Sequence, residues 1–117
     1  MHEIHEESIE KSGKKYVARL IKLDNAIILF IDEDVNFRLG TLAIAMPDLG
    51  GMHYLSFPVL GGRNINLARI LAERVSVLFR GLVLVSIHLS SELELTNYGI
   101  IAKLAEEVCV KASVLSR

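Results

Sequence analysis

Runs of apolar residues in the first half of this chain are short and strand-like, whereas those in the second half recur at spacings of three and four. Ile4 to Glu10 and Lys15 to Lys22 read as strands on either side of Lys11-Ser12-Gly13-Lys14. Gly13 supplies the positive φ that a tight hairpin needs. Ala26 to Ile31 and Thr41 to Met46 follow, joined through a polar turn from Asp32 to Asn36. The run at 26–31 does not alternate, and a strand that is apolar on both sides must be covered on both sides, so it belongs at the centre of a sheet.

From Asp48 to Gly62 the chain reads as loop, with Gly50-Gly51, Pro58 and Gly61-Gly62, and a short strand around Tyr54 to Phe57. A side-chain oxygen of Asn64 or Asn66 is placed to cap a helix that runs to about Arg80, where Gly81 offers a positive-φ stop. Asn66, Arg69, Glu73, Ser76 and Arg80 form one narrow polar stripe on that helix. The rest is largely apolar, an arc wider than the ~100° that packing on one sheet requires. A second covering surface is therefore expected. Leu82 to Leu89 is another strand apolar on both faces.

A second helix runs from about Glu94 to Leu115. Its inward stripe is Tyr98, Ile101, Ala105, Val108, Ala112 and Leu115, and Lys103, Glu107 and Lys111 mark its wet side. Gly99 weakens its first turn.

Consecutive strands with short turns predict an α+β domain: an antiparallel meander with two helices packed on it. Two helices do not readily cover both faces of a sheet whose central strands are apolar on both sides. A dimer that buries the remainder is the economical answer. At 117 residues, with no linker or repeat, the chain is read as a single domain over 1–117.

Composition narrows the partners. Hydrophobic residues make up 51% and charged residues 23% of the chain, a globular mixture. Thirteen basic residues against fourteen acidic ones give a net charge of −1, without the basic excess that neutralises phosphates, so nucleic acid is not an expected partner. Four acids in the first ten residues fit neither a secretory nor a transit signal. No apolar run approaches the ~20 residues that span a bilayer, so no membrane partner is expected. The one cysteine, Cys109, fits a reducing compartment, and a cytoplasmic location is expected.

Candidate chemistry is sparse. His2 and His5 are three apart in a strand, which puts them on opposite faces, and His53 and His88 lie elsewhere. There is no HExxH, paired CxxC or G-x-S-x-G, so neither a metal, a cofactor nor an enzymatic activity is expected. Cys109 sits with Ala105 and Ala112 on an apolar stripe and reads as a small core residue. Asp32-Glu33-Asp34 lacks the glycine and terminal glutamate of a calcium loop and reads as a solvated turn. Leu60-Gly61-Gly62-Arg63-Asn64 opens a helix and could present amides to an anion, but it matches neither phosphate-loop pattern; a flexible helix entry is the better account.

Ala26 to Ile31, then Leu39-Gly-Thr-Leu-Ala-Ile-Ala-Met46, resembles the strand pair of proteasome assembly chaperones three and four. Phe57 to Gly61, Leu67 to Val75, Val83 to Ile87 and the last helix fall in the same order in that family. The resemblance spans roughly residues 16 to 112 and lies in order and spacing, since each motif is merely apolar. It implies a non-enzymatic chaperone that helps 20S proteasome α subunits assemble into a ring. The chain looks intermediate between the two family types, which suits an archaeal-type homodimer.

A generic dimeric scaffold of the roadblock kind is the alternative, but those domains begin with a helix. A small anion-binding module is a third. For a partner-binding site the irregular stretch from Asp48 to Tyr54 offers Leu49, Met52 and Tyr54, residue types favoured in interface cores, with Arg63 supplying a charge at the rim.

Overall fold

The computed structural model describes residues 3–47 and 54–114. Its elements are β1 (Ile4–Lys11), β2 (Lys14–Lys22), β3 (Ala26–Glu33), β4 (Thr41–Pro47), β5 (Tyr54–Leu60), α1 (Ile65–Phe79), β6 (Leu82–His88), a 3₁₀ turn (Leu95–Asn97) and α2 (Tyr98–Lys111). The six strands form one sheet in the order β1-β2-β3-β6-β4-β5. The expected α+β architecture of two helices on a sheet is present, but the sheet is mixed. β3 and β6 pair in parallel, and the other pairs are antiparallel.

The meander expected over the first four strands therefore stops at β3. The strands that are apolar on both faces, β3 and β6, take the two central places, and this displaces β4 outward. The β1–β2 hairpin turns at Ser12 and Gly13, with φ of 53° and 78°. Two successive positive φ values match the right-handed twist of the flanking strands.

One face of the sheet carries both helices. Register lines up Leu20, Leu29, Val85 and Ala43 across four strands, and Ala18, Ile31, Ile87 and Thr41 beside them. α1 packs on β4, β5 and β6, α2 on β1 and β2, and the helices touch each other. Ala43 and Ala45 on β4, and Ala68 and Ala72 on α1, are all buried. Small side chains on both sides let the helix sit close to the strand.

From α2, Ile101, Leu104, Ala105, Val108 and Cys109 are buried. Truncating a fully buried leucine of this core, such as Leu29 or Leu71, is expected to cost about 2–5 kcal/mol.

The ends of α1 differ from expectation. Asn64 stands at the N-cap position but makes no capping bond. Its side chain holds the chain after β6, donating to the Ser91 carbonyl and accepting from the Leu93 amide. At the other end Arg80, not Gly81, takes the left-handed conformation, with φ 61°. Gly81 answers to space instead, because a Cβ there would sit 2.9 Å from the Phe79 ring. Ser76, expected on the wet stripe, is fully buried and donates to the Gly81 carbonyl at 2.6 Å. The wide apolar arc is not covered throughout: Ile70 and Val77 remain exposed.

Because β6 separates β3 from β4, the chain leaving β3 crosses the C-terminal end of β6 before β4 begins. Gly40 makes the closest pass. A Cβ there would fall within the Ile87 carbonyl group and 2.8 Å from His88 Cα, both backbone atoms that cannot swing aside. Gly40→Ala should therefore destabilise the fold by roughly 2–4 kcal/mol, read as a lower urea midpoint with an unchanged slope. A midpoint equal to wild type would show that the crossing is not tight.

Candidate interaction surface

The face of the sheet opposite the helices is ordered in rows. The register places Ile4, Ile21, Ile28, Leu84, Ile44 and Phe57 in one line across all six strands. Ile4 and Phe57 at its ends are 51% and 47% exposed, and the four between are half-buried. The next row is Glu6, Arg19, Phe30, Ser86, Leu42 and Leu60, and the one beyond is Ser8, Val17, Asp32 and His88. The face thus grades from apolar to polar along the strands.

Exposed apolar side chains concentrate here. Of the twelve large hydrophobic residues exposed among those described, eight lie on this face, on β5 or on the connection 34–40; Ile70, Val77, Leu95 and Val110 are the exceptions. Such clustering goes beyond the scattered single apolar residues that need no explanation.

The polar end is built around Asp32, which is fully buried and not part of the solvated turn expected from its acidic neighbours. It is the penultimate residue of β3, in step with Ile28 and Phe30 on the open face. Its Oδ1 accepts the Arg38 amide at 3.2 Å and lies 3.9 Å from His88 Nδ1. Its Oδ2 is 3.5 Å from Arg19 Nη1 but receives no hydrogen bond among the described residues. Arg19 is committed elsewhere: it donates to Glu6 Oε1 at 3.0 Å and to the Asn36 carbonyl at 2.6 Å. Its guanidinium also stands 4.8 Å over the Phe37 ring, which meets Phe30 edge-on.

Burial pushes the Asp32 carboxyl above its ordinary 3.8, against the opposing pull of the Arg38 amide and the charges of Arg19, His88 and Arg38. The adjacent Glu33 accepts from the Ser90 amide and hydroxyl.

The glycine-rich entry to α1 is already occupied by the protein itself. The Asn64 amide donates to the Glu92 carboxylate at 3.0 Å, so an internal anion stands where an external one would dock. Arg63, though exposed, directs its guanidinium at the Ser90 carbonyl, 3.1 Å away.

The residues expected to form a partner site do not converge. Leu49 and Met52 lie outside the described residues, and Tyr54 begins β5 opposite Pro47. Arg63 follows the other end of that strand, about 20 Å away by the rise of an extended chain. Cys109 is fully buried, and burial with Glu106 nearby pushes its thiol up to about 12, which leaves it unionised at neutral pH. No group of three metal-ligating side chains occurs among the described residues, and none of the described helices is long and apolar enough to cross a membrane.

The architecture is thus a six-stranded mixed sheet backed by two helices on one face and open on the other. No known protein family pattern matches the sequence, and no curated protein does. Among solved structures, 14 chains match. One of them belongs to a novel chaperone complex for yeast 20S proteasome assembly, with a TM-score of 0.69 and 19% identity. The alignment covers 98% of this chain and 98% of that one, so the two share a fold from end to end.

The raised Asp32 value fixes the sign of a pH dependence. A group whose folded value exceeds its unfolded value stabilises most below the unfolded one and loses that contribution as pH rises through the folded one. Wild type should therefore lose stability relative to Asp32→Asn as pH is raised from below 3.8. Parallel urea-stability curves for the two proteins would show that burial of this carboxyl carries no such cost.

Proposed function

We propose that this chain is a non-enzymatic, archaeal-type homologue of proteasome assembly chaperones three and four, which binds 20S proteasome α subunits and assists assembly of their ring in the cytoplasm. The observation that carries the reading is the end-to-end likeness of fold to a chain of a proteasome assembly chaperone complex. The order of apolar motifs in the sequence supports it independently.

The same reading includes a homodimer, with a second copy covering the open face of the sheet. Six strands about 4.8 Å apart and about 23 Å long present roughly 550 Å² in projection, and side-chain relief raises this toward the ~800 Å² per partner of an ordinary stable interface. Isologous stacking would set each apolar row against its copy. Leu49, Met52 and Tyr54 are assigned to the α-subunit contact. Arg63, at the far end of β5, would meet a separate part of that partner.

Two experiments test this. Affinity capture from a native lysate, read by mass spectrometry, should recover proteasome α subunits, and capture without any of them would remove the chaperone reading. Light scattering should give a dimer at micromolar concentration. Phe57→Glu should shift it to monomer with the circular dichroism unchanged, because a charge would then face the partner copy's apolar row. A wild-type monomer would sink the homodimer.

A further inference from the structure

The two edges of the sheet are treated in opposite ways. β1 carries Glu6, Glu7, Glu10 and Lys11, and Lys111 from α2 covers its backbone, donating to the Glu6 carbonyl at 2.9 Å and pairing with Glu7 at 3.3 Å. Edge charges and an occupied carbonyl discourage a further strand. β5, Tyr-Leu-Ser-Phe-Pro-Val-Leu from 54 to 60, has no charged residue. Its Leu55, Phe57, Val59 and Leu60 are 44–55% exposed.

Among the described residues β5 pairs with β4 alone, so its outer side offers backbone N–H and C=O groups without a strand to meet them. The register runs evenly from Tyr54 to Phe57. Beyond that Pro58 has no N–H, and a shift opposite Leu42 and Ala43 leaves Val59 without a partner. The usable stretch is therefore Tyr54–Phe57. It is held from beneath: Ser56 is buried, and its hydroxyl donates to Glu73 and accepts from Arg69 Nε at 3.1 Å. Arg69 also reaches the Ser56 carbonyl, but at 3.4 Å, a long contact next to the 2.9 Å bond from Lys111 on the opposite edge.

What fits such an edge is fixed by its chemistry. Alternating donors and acceptors at strand spacing are matched by another extended backbone, the arrangement in which a peptide adds to a sheet. Its side chains follow from the neighbours. Leu55 and Phe57 alternate onto the open face, and Phe57 ends the apolar row, so the next member of that row would be apolar too. Nothing on β5 calls for a charge. A second copy is the poorer match, because its own β5 brings the same four residues bounded by the same proline.

We propose that the β5 edge docks an extended segment of a different polypeptide, added as a seventh strand along Tyr54–Phe57 and uncharged and apolar where it lies beside Leu55 and Phe57. Face-to-face stacking of two copies acts through side chains of sheets about 10 Å apart and leaves this edge open. Where the partner is a proteasome α subunit, which rests on the reading above, the added strand is its mode of contact. A segment continued past Phe57 runs toward Arg63, which would bring both ends of the assigned contact onto one stretch of chain.

Selection of random seven-residue peptides displayed on phage against the immobilised full chain tests the edge without naming the partner. Enriched peptides should be uncharged, alternate apolar residues and lack a central proline. Their capture should be lost on Leu55→Lys, which sets a charge on the exposed edge. No enrichment, or capture that Leu55→Lys leaves unchanged, would overturn the proposal. Should the variant not fold, hydrogen exchange of wild type with an enriched peptide suffices: the amides of residues 54–57 that do not pair with β4 should slow. Unchanged exchange there overturns the proposal. So does slowing that follows protein concentration with no peptide present, which would make a second copy the occupant.

Hydrogen exchange with a purified 20S proteasome α subunit separates this inference from the chaperone reading. Slowing at 54–57 supports both. An α subunit that binds and leaves those amides unchanged overturns the docking edge and keeps the chaperone reading. No binding, with the selected peptides still adding to β5, removes the chaperone reading and leaves the edge.

Discussion

Strand β6 runs parallel to β3 and antiparallel to β4, so the chain leaving β3 has no direct turn into β4 and must cross the end of β6. That single constraint organises the molecule. It places the two strands with apolar residues on both faces at the centre, where each has neighbours on either side. It requires a glycine at position 40, where the crossing runs against the Ile87 carbonyl. It also lays a seven-residue segment over the polar end of the open face, and burial of Asp32 follows from that cover.

Much of this was legible in the residues before the structure. The hairpin at Ser12-Gly13 follows from glycine's tolerance of positive φ. The central rank of Ala26–Ile31 and Leu82–Leu89 follows from their lack of alternation, and the core position of Cys109 from its apolar neighbours. Strand order was not legible, because local periodicity carries no information about which edge a later strand will join. The expected meander extended a rule for adjacent strands past the point where an interior place was worth more than a short turn.

The burial of Asp32 is hidden in the sequence for a related reason. Three consecutive acids read as a solvated turn, yet the pleat that sets Ile27, Leu29 and Ile31 against the helices carries Ile28, Phe30 and Asp32 onto the other face. Extending the alternation two residues past the apolar run would have found it. Asn64 shows the opposite limit. Its type suits a helix cap, but its bonds go to residues 91 and 93, and no local pattern announces a partner almost 30 positions away.

These features bear on why one face is open at all. Core burial on the helix side is served by Leu, Ile and Val on β2, β3 and β6 and by alanines on β4, while the open side carries large apolar residues in one row and charged residues in the next two. In the proposed dimer, Ile21, Ile28, Ile44 and Leu84 in register would lie against an apolar row of the partner copy. The buried carboxyl two rows away lies between Arg19, His88 and the Arg38 amide, and so ties the connection 34–40 to the strands beneath it. Apolar row and buried acid thus share one face, and the connection 34–40 lies over its polar end.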